Sequence, residues 1–130
     1  MRLIINVFNL VVISLYTVKV WAINPVLLEK QYSEEARQPS SVMRGEKLFT
    51  SKHGKEWSCA SCHGFPPIKE GRHASTDKLI SPLAPSFNAK RFTDESKVNK
   101  WFKRNCNDVF GRECSSLEKA DVMAYLNSLK

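Results

Sequence analysis

Apolar residues recur at helical spacing in four stretches of the chain, each bounded by residues that start or stop helices. Asn24-Pro25 offers a side-chain cap followed by proline at the first helical position, predicting a helix to about Arg37. Pro39, Ser40 and Ser41 end it and open a second helix, on which Val42, Gly45, Leu48 and Phe49 share a face. Gly45, without a side chain, lets a partner helix come close. Thr93-Asp94 opens a third helix to about Asn107, with Asp94 and Glu95 placed to suit the positive end of its dipole. Its apolar face runs Val98, Trp101, Phe102 and then position 105. Ser115-Ser116-Leu117-Glu118 is a capping box for a last helix, with Val122, Tyr125, Leu126 and Leu129 on one side. From Gly64 to Phe92 the pattern breaks down around Pro66, Pro67, Pro82 and Pro85. A loop that long in a small domain wraps something. Strand-like alternation is scarce, and the expected fold is all-α.

The N-terminus follows a different pattern. Arg2 precedes a mostly apolar run, Leu3–Tyr16, interrupted by Asn6 and Asn9, and Val20-Trp21-Ala22 has the small-residue ending of a cleavage site. Residues 1–22 therefore read as a signal peptide and 23–130 as one domain exported to the periplasm. An uncleaved anchor is the alternative, but the run is short and broken for a membrane span. Removing Arg2 and Lys19 with the leader lowers the formal charge from +7 to about +5. It also removes the most apolar stretch of the chain. What is left is too small for a multidomain enzyme, and its thin core calls for a staple, a metal or a prosthetic group.

The four cysteines are the place to look. Cys59-Ala60-Ser61-Cys62-His63 is a C-x-x-C-H pentapeptide, which in an exported chain reads as the attachment site of one covalent haem c. Both thiols add to one edge of the macrocycle, and His63 becomes the proximal iron ligand. The alternatives are a thioredoxin-like redox pair, which wants a surrounding βαβ pattern, and a zinc ribbon, which wants a second C-x-x-C. Neither accompaniment is visible. Cys106 and Cys114 remain, with Gly111 between them to allow a tight return. In an oxidising compartment a disulfide is their expected state, with two free thiols as the alternative.

A haem with one ligand raises the question of the other. Met43 and Met123, the methionines of the mature chain, fall on predicted helices and read as core filler. His53 sits in a polar turn and reads as solvated. His73 lies in a charged loop ten residues after His63 and reaches the distal side only if that loop folds over. Asn105 continues the stripe of Val98, Trp101 and Phe102, which would form the distal pocket. Its plain reading is an amide that satisfies a loose backbone carbonyl; against that, Cys106 beside it would fix its backbone.

The helix carrying Gly45 and Phe49, together with the terminal Tyr125-Leu126 helix, resembles class I cytochrome c, in which such helices cross. Leu83-Ala84-Pro85-Ser86-Phe87-Asn88-Ala89-Lys90-Arg91-Phe92-Thr93-Asp94, followed by Asn105-Cys106-Asn107-Asp108 and Cys114-Ser115, resembles a narrower group. These are the cytochromes c″ and the sphaeroides haem proteins (SHP), and the likeness runs from about Glu46 to Leu126. The resemblance implies a distal ligand just before the first cysteine of the disulfide. That ligand is histidine in the c″ branch and asparagine in the SHP branch, so Asn105 points to the latter. It further implies that the asparagine binds ferric haem and leaves on reduction, opening a site for oxygen or nitric oxide. The implied electron donor is a dihaem or multihaem cytochrome.

Charge adds a docking question. A basic exported chain is not expected to meet nucleic acid; an acidic redox partner or the membrane surface is the expected counterpart. Lys47, Lys52 and Lys55 lie near the haem motif, and Lys97, Lys100, Lys103 and Arg104 on the polar side of the Asn105 helix. Arg91 is a candidate contact for a haem propionate. Two other functions stay open: a plain electron carrier with His73 as distal ligand, and a reductase of nitric oxide, oxygen or peroxide.

Overall fold

The final helix is buried on nearly every side, and the rest of the molecule is arranged around it. The computed structural model describes residues 23–130, so the expected signal peptide lies outside the described residues. Its helices are α1 (Pro25–Ala36), α2 (Val42–Thr50), α3 (Cys59–His63), α4 (Glu95–Phe110) and α5 (Ser116–Ser128). A two-residue antiparallel pair, β1 (Gly71–Arg72) with β2 (Leu79–Ile80), and a 3-10 turn at Pro85–Phe87 are set within the long loop. The fold is all-α, as the helical spacing predicts. Among the described residues no helix is long and apolar enough to cross a membrane.

The start signals act as their chemistry requires. Asn24 accepts from the Leu27 amide, Ser41 from Arg44, Asp94 from Lys97, and Ser115 and Glu118 cap α5 reciprocally. Helix α4 outlasts its expected end at Asn107 by three residues and stops at Gly111, whose φ of 71° is left-handed.

Helices α1 and α2 pack on different sides of α5. One cluster joins Leu28 and Tyr32 of α1 to Val98, Ala120 and Met123. The other joins Phe49 of α2 to Val122, Tyr125 and Leu126. This is why all seven residues from Ala120 to Leu126 are buried, where a single apolar face is expected from sequence. Gly45 is the point of closest approach between α2 and α5. A Cβ there would overlap the Asp121 carbonyl, so only glycine fits. Buried Asp121 is held at the same crossing. Arg44 donates to both its oxygens at 2.8 Å, and the Ser41 amide adds a bond of 2.7 Å. Met123 is core as expected, but Met43 is 80% exposed because the α2 face that meets α5 is the one bearing Gly45 and Phe49.

Candidate haem site

The attachment pentapeptide forms a single helical turn because its neighbours cap it. Ser58 accepts from the Ser61 amide, and the Ser61 hydroxyl accepts from the Ser58 amide, a capping box built partly from a residue between the cysteines. Three residues apart on one turn, Cys59 and Cys62 present both sulfurs to the same side. Gly64, at φ 76°, ends the turn. Gly71 of β1 packs directly on it, where a Cβ would overlap the Cys62 carbonyl. The start of the long loop is thereby fixed against the motif.

Several features fit a covalent haem. Neither Cys59 nor Cys62 is taken up in a disulfide. Burial pushes the Cys59 thiol up to about 11, which suits a protected attachment site and not the low-pKa nucleophile of a redox pair. Burial, with the nearby charges of Arg91 and His73, holds His63 down at about 4, so its ring is neutral and can ligate. The ring lies 6.3 Å from that of Phe49, and its buried Nδ1 has no hydrogen-bond partner. Arg91 is half-buried without a carboxylate partner among the described residues. It donates instead to the Ser81 carbonyl at 2.6 Å and the Pro82 carbonyl at 3.0 Å, so it fastens the loop while its positive charge stays unneutralised. That suits an anionic group such as a propionate.

The expected distal residues separate. Val98 belongs to the core cluster between α1 and α5, with Leu28, Tyr32, Ala120 and Met123. Phe102 packs against both clusters and meets Tyr32 edge-on, with centroids 5.9 Å apart. Trp101 is 47% exposed, with the Arg104 guanidinium 5.6 Å over its ring. Asn105 is half-buried one turn further on. Beside it Cys106 is bonded to Cys114, their Cα atoms 5.6 Å apart, as expected.

The histidines outside the motif are both engaged. His73 Nδ1 lies 3.3 Å from the Thr76 amide and 3.2 Å from the Ser75 hydroxyl. The next amide, Ala74, reaches the Cys62 sulfur at 3.3 Å, so this turn is fastened beside the attachment helix. His53 is not simply solvated, since its Nε2 lies 2.9 Å from the Leu48 carbonyl and its ring stacks on Phe110.

Comparison with known proteins agrees with this geometry. A family described as a domain of unknown function, DUF1924, matches residues 35–126. Cytochrome c-type protein SHP of Cereibacter sphaeroides is 44% identical over 107 residues, covering 79% of this chain and 82% of SHP. The chain belongs to the SHP and cytochrome c″ family. Cytochrome c″ of Methylophilus methylotrophus is 50% identical over 80 residues, 62% of this chain and 56% of that protein. The structure of oxidised SHP, described as an oxygen binding cytochrome c, superposes with a TM-score of 0.78 at 42% identity. It covers 84% of this chain and 100% of that one. As a family member the chain carries one covalently bound haem c, and its general role is that of a monohaem c-type cytochrome.

Sequence reasoning missed the Ser58–Ser61 box and the engagement of His53. Ser at both positions of S-x-x-S was the available signal for the first; nothing local announced the second.

Proposed function

We propose that this cytochrome is redox-gated. Asn105 occupies the distal position on ferric haem and leaves on reduction, giving access to a small diatomic such as oxygen, nitric oxide or carbon monoxide. One observation carries the reading. Asn24, Asn88, Asn99, Asn107 and Asn127 each use their side chains in hydrogen bonds, whereas the Asn105 amide has no partner among the described residues. The plain role of satisfying a backbone carbonyl is therefore not the one it plays. Haem supplies an iron centre that accepts one electron and, when ferrous, takes up diatomic ligands.

The chain supplies the switch. The carboxamide oxygen of Asn105 is a hard, neutral donor that favours Fe(III) over the softer Fe(II). His63, partly buried with a neutral ring, would hold the iron as the ligand that does not leave. The Cys106–Cys114 bridge limits how far the Asn105 backbone can move once released. A freed amide can also donate a hydrogen bond to the incoming ligand. The description of SHP as oxygen binding supports the same class of ligand here. Against His73 as distal ligand stands its turn, fastened to Cys62. Catalytic reduction is less favoured because the nearest carboxylate on this helix end, Asp108, is exposed and stands without an acid–base partner.

Electrons would come from a dihaem or multihaem cytochrome in the periplasm. Exposed Lys47, Lys52 and Lys55, or Lys97, Lys100 and Arg104, offer an acidic donor a landing surface. Optical spectra in both oxidation states test the gate. The expected outcome is carbon monoxide binding after reduction and a changed ferric spin state in Asn105→Ala. A reduced protein that refuses carbon monoxide, or an unchanged variant, sinks the proposal.

A further inference from the structure

The disulfide does not by itself hold Asn105 in place relative to the rest of the molecule, because it joins α4 only to the turn eight residues further along. A second, non-local contact lies one turn beyond the bridge. The ring of Phe110, the last residue of α4, stacks on His53 with centroids 4.2 Å apart and planes inclined by 33°. His53 comes from residues 51–58, the segment that leads from α2 into the attachment helix. The Leu48 carbonyl can only accept, so His53 Nε2 carries the hydrogen of their 2.9 Å contact, and the imidazole cannot turn from Phe110 without losing it. The same segment sends Lys55 across the helix end, where a Cβ at Gly111 would meet its Cε at 3.0 Å. Its ammonium suits the negative end of the helix dipole. Arg112 lies 5.1 Å over the Phe110 ring and is itself fixed by Glu118 at 2.7 and 2.8 Å.

We infer that His53 and Phe110 are positioning residues for the distal ligand. Their stack ties the end of α4 to the segment entering the haem-attachment turn, and so sets how firmly Asn105 is presented. Both ligand positions are thereby referred to one short stretch of chain. The inference rests on the reading of Asn105 as ligand, and the test separates the two.

Phe110→Leu and His53→Ala are prepared as ferric holoprotein, and the ratio of five- to six-coordinate haem is read from resonance Raman spectra. Each variant is expected to raise the ratio by about three- to tenfold, as loss of one aromatic contact allows. Carbon monoxide association after reduction is expected to quicken in step. Phe110→Tyr, which keeps the ring, should restore wild-type behaviour. If both ring-removing variants keep the wild-type coordination ratio, whatever happens to their melting temperatures, the stack is merely structural and the inference is overturned. Asn105→Ala, measured alongside, reports on the ligand itself. No change there removes the underlying reading, and the inference with it.

Discussion

The regions that carry His63 and Asn105 are built by different means. His63 sits on a five-residue turn that has little strength as a helix of its own. It is held by what surrounds it: the Ser58–Ser61 caps, Gly71 pressed on Cys62, and the Phe49 ring beside it. Asn105 is carried on a sixteen-residue helix that touches its neighbours through a few side chains and is tied at its C-terminal end by a bridge and a stack. A ligand meant to stay is enclosed by packing. A ligand proposed to leave is tethered instead, and a tether limits travel without forbidding it.

Substitutions on each side should separate these modes. The largest effect is expected at Gly45, where any side chain meets the Asp121 carbonyl. Gly45→Val should cost about 3 kcal/mol or more by forcing α2 off α5, read as a lowered denaturation midpoint. Because Phe49 would move with α2, the proximal side should loosen while the Cys106–Cys114 bond still forms. Replacing both bridge cysteines by alanine should cost about 2–3 kcal/mol in stability. Its sharper signature is a ferric spectrum shifted toward weaker distal ligation, and an unchanged spectrum would dismiss the tethering role. The smallest effect concerns pH. The Arg112 guanidinium, with Ser115, holds the Glu118 carboxyl down at about 2. A depressed carboxyl adds stability above its ordinary range and loses it as pH falls through the folded value. Glu118→Gln should therefore lower the denaturation midpoint slightly at pH 7, with the difference from wild type closing as pH falls from about 4.5 to 2.

What could be read from the sequence divides along similar lines. Caps are local chemistry, and Asn24, Ser41, Asp94 and Ser115 announced their helices to within a residue or two. The C-x-x-C-H motif was equally explicit, because its spacing serves a single macrocycle. Val98 shows a limit: a stripe on one helix says that a face is apolar, not which elements it meets, and here Val98 joins residues of α1 and α5. Met43 failed for the same reason. So did the one-sided reading of α5, whose second buried face exists only because α1 returns along it. The His53–Phe110 contact spans more than half the domain and leaves no local trace.

That central helix also has a consequence in time. Both clusters need α5, and α5 comes well after the attachment motif in sequence. Until it arrives, Leu28 and Tyr32 on one side and Phe49 on the other have no helix to close against. Meanwhile Cys59 and Cys62, midway along the sequence, are already present and unenclosed. The order of residues thus sets the thiols ahead of the segment that completes the core, so that they can be reached before it shuts.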